Sequence, residues 1–236
     1  MIKPLLCGGM IRLRQIALVA RELDTAVEQI RHHLDVDVCY RDPGVGEFGL
    51  HNALFRIGDQ FLEVVSPIRS DTTAGRLLEK AGGDCGYMAI FEVDDLDARM
   101  DLVARFGVRV VWSGDFRQIR GRHLHPKDTR GTLVSLDQPD QPGAWHWAGP
   151  RWRDTRPAGV AKGIVDFTIS TPEPQRCQAR WKELGINHQV LFRTASTPTD
   201  VLSGVSLEAS NAAEAGRSFR LCGVDFTLTS PPNDPT

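Results

Sequence analysis

The sequence predicts an α+β fold in which paired βαβββ modules form a curled mixed sheet, followed by a degenerate third and fourth module. Three observations carry this. The order strand, helix, then three strands occurs twice in succession between residues 11 and 138. The copies are offset by about 70 residues, the mark of an internal repeat. Within each copy the apolar pattern changes period, from near-alternation in the strands to three- and four-residue spacing in the helix. Each sheet alone would leave one apolar face in water, so the two modules should join edge to edge around a shared concavity.

The first module opens with IRLRQIALVAR, residues 11–21, which alternate loosely and end in a β-branched run, as a strand does. Asp24 is placed to cap a helix whose buried stripe is Val27, Ile30 and Leu34. Asp42-Pro43-Gly44 and the glycines after it make a loop that leads Glu47 to the base of a hairpin. That hairpin is Leu50 to Pro67, LHNALFRIGDQFLEVVSP, where two apolar runs flank Gly58-Asp59 and glycine accepts positive φ. With Gly58-Asp59 as a two-residue turn, Leu54 stands opposite Glu63, and Asn52 and Arg56 share that face. Asp71 to Lys80 reads as a second short helix running into Gly82-Gly83.

The second module repeats the order. Gly86 to Val93 is a strand, Asp95 caps a helix with Leu96, Met100 and Val103 inward, and strands follow at Val108 to Trp112, His123-Leu124-His125 and Gly131 to Leu136. Residues 1–138 are thus expected to form one domain of two modules. Residues 139–160 interrupt the pattern with Pro139, Pro142, Pro150 and Pro157 among Gly and Trp, as a linker does. Trp145, Trp147 and Trp152 are too apolar to hang free, so they either roof the concavity or fill core. Residues 161–236 are expected to hold a degenerate C-terminal module: a strand at Ile164 to Ser170, a helix at Pro174 to Leu184 and a strand at Gln189 to Thr194. Gly204 to Ala209, an Ala-rich helix near Asn211 to Gly216, and Val224 to Thr229 make an abbreviated further copy, and the closing PPNDPT reads as a disordered tail.

Composition excludes several function classes. The 236 residues are 41% hydrophobic and 25% charged, an ordinary globular balance with ample core. A formal charge of -2 gives no electrostatic reason for nucleic acid or an anionic membrane as partner. No apolar run approaches the roughly 20 residues that span a bilayer, and Met1 to Met10 is too short and weakly charged for a signal peptide, so the cytoplasm is expected. Cys7, Cys39, Cys85, Cys177 and Cys222 are scattered without a CxxC, which argues for packed, reduced thiols over a disulfide framework or a thiolate zinc site.

The chemistry centres on Glu63. A carboxylate between Leu62 and Val64 in an apolar strand is costly unless it faces a polar cavity or has a partner. Two readings stay open: a polar cluster of Asn52, Arg56 and Glu63 on one sheet face, or an Arg56–Glu63 pair on a solvated face. His123 and His125, one residue apart on the expected strand, share a face but lack a third metal ligand. Of the other histidines, His51 should face away from Glu63, and His32-His33 suit a helix surface.

Four passages resemble the vicinal oxygen chelate superfamily, in particular its glyoxalase-like branch and the methylmalonyl-CoA epimerases: QIALVARELDTAVE, GDQFLEVVSP, GYMAIFEVDDLDA and HLHPKDTRGTLVSLDQP. The resemblance implies the glyoxalase/dihydroxybiphenyl dioxygenase-like fold for residues 11–138. It also implies a divalent-metal site, with a ligand from the first and the last strand of each module. The matching positions hold Gln15, Glu63, Met88 and Ser135, where His, Glu or Gln, His and Glu would be usual. A thioether is a poor ligand for hard ions and a neutral hydroxyl adds no charge, so no metal and no other cofactor is expected here.

Without an ion, Glu63 becomes the expected general base, and Glu47, in a Glu-x-Gly-hydrophobic passage like the epimerases' proton-transferring glutamate, the second acid, unless it is simply a loop carboxylate in water. Donors for a developing oxyanion would come from Asn52, Gln15, Arg56, Lys127 and Arg130, with Met88, Ser135, Trp112 and His125 completing the expected substrate surroundings. The expected function is glyoxalase-like isomerase, epimerase or lyase chemistry on a small oxygenated metabolite. The alternative is a non-catalytic small-molecule binding protein of the drug-sequestering type, or a scaffold whose cavity has filled in. The expected partner is a small-molecule ligand. A homodimer through a free sheet edge is open too, unless the third module covers that edge.

Overall fold

The computed structural model describes residues 9–195 and 198–230, so the tail expected at 231–236 and Cys7 lie outside the described residues. The first module comprises β1 (Ile11–Val19), α1 (Leu23–Leu34), β2 (Val38–Tyr40), β3 (Leu50–Ile57) and β4 (Gln60–Pro67), with α2 (Thr73–Ala81) leading out of it. The second comprises β5 (Cys85–Val93), α3 (Leu96–Arg105), β6 (Val110–Asp115), β7 (Ile119–Leu124), α4 (Pro126–Thr129) and β8 (Leu133–Pro139). These eight strands form one sheet in the order β2-β3-β4-β1-β5-β8-β7-β6, the two modules meeting where β1 pairs antiparallel with β5. In both modules the first strand runs parallel to the last, β1 with β4 and β5 with β8, as the repeat requires.

A second sheet follows, from β9 (Ala161–Thr171), α5 (Pro174–Glu183), β10 (Val190–Thr194), β11 (Val201–Ala209), β12 (Ser218–Leu221) and β13 (Val224–Thr229), in the order β10-β9-β11-β13-β12. Its pairings echo the first: β9 is parallel to β10, antiparallel to β11, and β11 is parallel to β13. The helix expected near Asn211 to Gly216 is a set of turns, and β12, which the polar Ser218 and Arg220 concealed, adds a strand. In α1 the helix starts one residue before Asp24, which sits in the first turn without capping it. Asp95 and Thr72 do cap α3 and α2, accepting from the Ala98 and Gly75 backbone N–H groups.

One core lies between the two sheets. Leu13, Ile16 and Leu18 of β1, Phe55 of β3 and Phe91 of β5 pack with α1, α3 and α5 against Phe167, Ile169, Val205 and Phe226 of the second sheet. The sheets approach closely enough that a Cβ on Gly86 would collide with the Leu202 carbonyl oxygen, which makes glycine obligatory there. The opposite face of the first sheet is the concavity. Its lower half is filled by the segment after β8, with Trp145 and Trp152 packed on Ala17, Leu54, Phe61, Met88 and Ile90.

Arg14 pins that segment. A register shift between Leu13 and Gln15 turns both Arg14 and Gln15 to the concave side. The guanidinium is fully buried, 5.5–5.6 Å from the rings of Phe61, Trp145 and Trp152. It pairs with Asp59 at 2.8 Å and donates to the Gly143 carbonyl at 3.2 Å. Its Nε lies 3.4 Å from Glu92 but is left without a hydrogen bond. Arg14→Ala should lower the unfolding free energy by about 3 kcal/mol in urea titrations, because Asp59 and the Gly143 carbonyl lose a donor and the aromatic cage collapses onto a void. A loss below about 1 kcal/mol would mean the cage does not hold the segment.

Candidate active site

Strand alternation sets the cavity residues. The register pairs Ala17 of β1 with Glu63 of β4 and with Met88 of β5, and Leu54 of β3 with Glu63, as the two-residue turn at Gly58-Asp59 requires. Above the packed tryptophans a cavity of about 200 Å³ remains. Of the expected residues it is lined by Gln15, Glu47, Asn52, Glu63, Met88 and Trp112; Asp42, Tyr87, His123, Asp137 and Trp147 join them.

Glu63 is 7% exposed and carries two amide donors: Gln15 Nε2 donates to Oε2 at 2.8 Å and Asn52 Nδ2 to Oε1 at 2.6 Å. Each amide is held from behind. Trp145 Nε1 donates to Gln15 Oε1 at 2.8 Å, and the Asp42 backbone N–H donates to Asn52 Oδ1 at 2.8 Å. Burial raises the Glu63 pKa above the carboxylate range; the Asn52 and Gln15 donors oppose the rise, and the charge of Asp42 adds to it.

Of the two open readings, the Arg56–Glu63 pair is not made, and of the cluster only Asn52 reaches Glu63. Arg56 does share the β3 face with Asn52, but it lies nearer the turn, under the segment after β8. There it donates to the carbonyls of Gly58, Arg153 and Thr155 and rests 5.2 Å from the Trp152 ring. Glu47 reaches the cavity mouth from a 3₁₀ turn over Pro43–Phe48 and accepts from Trp112 Nε1 at 3.0 Å, on an exposed residue. Ser135 is fully buried and donates its hydroxyl to Asp137. His125 leaves the strand it was expected on: its Nδ1 accepts from the Lys127 backbone N–H and caps α4, so His123 and His125 do not form a pair on one strand face. His125 and Lys127 instead line an outer groove of about 870 Å³, which adjoins the cavity at Phe48, Leu50, Tyr87, Trp112 and His123.

Sequence reasoning missed Asp137. It is a carboxyl in an apolar strand, the same signal that singled out Glu63, two residues beyond Ser135 on β8. It is 2% exposed and accepts from Trp147 Nε1 at 2.7 Å as well as from Ser135. Burial pushes its pKa up to about 7 against the pull of those donors. Burial also pushes the Tyr87 phenol up to about 12 and His123 down to about 4, so both are neutral at physiological pH. His123 packs against Trp112, ring centroids 4.4 Å apart and planes inclined at 38°.

The donor set does not fit a divalent ion. Gln15 spends its carbonyl oxygen on Trp145 and turns its NH₂ toward Glu63, Met88 offers a thioether, and the Ser135 hydroxyl is committed to Asp137. Among the described residues no group of three or more His, Cys, Asp or Glu side chains is arranged to hold a metal. None of their helices is long and apolar enough to cross a membrane.

A doubled βαβββ sheet with a carboxylate at the end of its trough defines the glyoxalase-like class. The chain belongs to this family: the one described as Glyoxalase-like domain matches residues 16–185. Its relatives include methylmalonyl-CoA epimerases. An ethylmalonyl-CoA/methylmalonyl-CoA epimerase from Cereibacter sphaeroides is 28% identical over 133 residues, which is 54% of this chain and 97% of that protein. A single-residue variant of the Streptomyces coelicolor methylmalonyl-CoA epimerase, solved with 2-nitronate-propionyl-CoA, is 27% identical with a TM-score of 0.50, covering 55% of this chain and 98% of that one. The Mycobacterium tuberculosis methylmalonyl-CoA epimerase, 24% identical with a TM-score of 0.50 and covering 60% and 94% of the two chains, shares the fold.

Asp137 makes stability depend on pH. Its folded pKa lies above the value of 3.8 for a free aspartate, so the fold binds a proton that the unfolded chain releases, and stability falls as pH rises from about 4 to about 7. Asp137→Asn keeps an acceptor for Trp147 and removes this dependence. The variant should be more stable than the parent at pH 8 by a few kcal/mol, with the difference shrinking toward pH 4 in thermal unfolding. A difference independent of pH would contradict the shift.

Proposed function

We propose that the chain is a vicinal-oxygen-chelate-type epimerase or isomerase that moves a proton at the carbon beside the carbonyl of a small oxygenated acyl group, without a metal. The observation that supports this most is the state of Glu63: desolvated, lining a cavity, and partnered by amides, with no cation among the described residues to quench it. A carboxylate so placed has its basicity raised by burial while its orientation is fixed. In this reading Glu63 takes the proton and electron density moves onto the carbonyl oxygen. Tyr87, a neutral O–H donor that lines the same cavity and whose phenol feels the Glu63 charge, stabilises that oxygen in the place of an ion. Glu47 at the mouth returns a proton to the carbon and takes a replacement from water, and Glu63 gives its own proton up to water as the cycle closes.

The cavity of about 200 Å³ is sized for a small acyl group and lies below the range of about 300–1,000 Å³ usual for drug-sized ligands, which disfavours the drug-sequestering alternative. The outer groove is lined by Arg69, Lys80, Lys127 and Arg130 together with Asp71, Glu173 and Asp200; Arg69 and Arg130 pair with Asp71 and Glu173, which leaves Lys80 and Lys127 to meet an anionic handle such as the acyl-CoA ligands of the relatives carry. The same reading takes residues 161–230 as a reduced copy of the paired modules that backs the catalytic sheet.

The test is exchange of the α-proton in D₂O, followed by mass spectrometry over a panel of short acyl-CoAs that includes methylmalonyl-CoA. Turnover-dependent deuterium uptake by the parent, lost by 10²–10⁴-fold in a folded Glu63→Gln variant, is the expected result. Binding of the panel without exchange would favour the sequestering alternative, and unchanged exchange in Glu63→Gln would remove Glu63 from the mechanism.

A further inference from the structure

We infer that Trp145, on the segment that joins the two sheets, is a positioning residue for Glu63 and acts through the Gln15 amide. An indole N–H only donates, so its 2.8 Å bond to Gln15 Oε1 fixes which end of that amide faces Trp145 and turns the NH₂ toward Glu63. The Asp42 backbone N–H fixes Asn52 by the same rule from the other side. Both Glu63 oxygens therefore receive donors, and they do so in only one flip of each amide. Were Gln15 reversed, its carbonyl oxygen would face a carboxylate oxygen, two acceptors in contact where both residues are less than 8% exposed. Trp145 is itself held fast: it is 1% exposed, its ring lies 5.5 Å from the Arg14 guanidinium, and Arg14 bonds to the carbonyl of Gly143 two residues upstream. A part of the chain outside the paired modules thus supplies the N–H that completes the cavity's hydrogen-bond set.

The structural content of this inference stands apart from the proposed reaction; only its effect on turnover rests on that reading. Trp145→Phe keeps an aromatic ring beside Arg14 and deletes the donor, and Gln15→Met keeps side-chain length and deletes the amide. In ¹H–¹⁵N spectra of the full chain, the Gln15 side-chain protons should be widely separated, with the one bonded to Glu63 downfield. In Trp145→Phe they should collapse toward the values of a solvated glutamine. A folded Trp145→Phe variant with unchanged Gln15 resonances would overturn the inference. Should that variant fail to fold, Gln15→Met supplies the converse reading: the Trp145 indole proton is expected to move upfield and exchange faster, and an unmoved indole proton would overturn the inference equally. With an exchanging acyl-CoA in hand, Trp145→Phe should lower kcat by about tenfold while KM stays within about twofold, and should have no further effect on top of Gln15→Met. Additive losses would show that Trp145 acts by packing alone. If no substrate in the panel exchanges, the proposed function fails and the amide resonances still decide this point.

Discussion

A carboxylate shut away from water without a counter-ion dictates how the rest of the trough is built. Glu63 sits on β4 between β3 and β1, and a buried charge there is costly unless each of its oxygens is met. The chain meets them with two primary amides, each locked by a donor that cannot accept. A hydrogen-bond set of this kind lowers the cost of burial without cancelling the charge, which is the compromise a general base needs.

That arrangement depends on rigid surroundings. β1, β4 and β5 are buried on both faces, by helices and the second sheet behind and by the tryptophan segment in front. Doubly buried strands cannot slip register without exposing a whole face, so Glu63, Ala17 and Met88 stay in one row, with Gln15 two residues along β1 on the same face. The tryptophan segment has two roles that share one anchor. Arg14, itself anchored by Asp59 and resting on Phe61, holds the segment through the Gly143 carbonyl and the rings of Trp145 and Trp152, and the same two rings occupy the half of the concavity that would otherwise be open.

Much of this was legible in the chain. The repeat, the hairpin turn at Gly58-Asp59 and the pairing of Leu54 with Glu63 followed from periodicity and turn chemistry, because register in a two-residue hairpin leaves no freedom. What escaped was set by tertiary contacts. Arg56 shares a face with Asn52, yet a long side chain goes where acceptors are, and three carbonyls lie along the tryptophan segment. His125 looked like a strand residue until Pro126 is weighed as the first position of a helix, which makes the histidine its cap. Asp137 was passed over in favour of Ser135 because the family resemblance pointed two residues upstream. The burial argument applied to Glu63 holds for it unchanged. Trp145 could be recognised as apolar and therefore packed, but nothing in sequence says that its one polar atom lands on Gln15.

Hydrogen bonds from Gln15 and Asn52 hold Glu63 in its cavity, and the reaction proposed for it uses no metal ion. Elemental analysis of protein purified without chelators tests it most directly. Divalent metal far below one ion per chain is expected, unaltered when Glu63 is replaced by glutamine. One tightly held ion per chain that disappears with that replacement would contradict it.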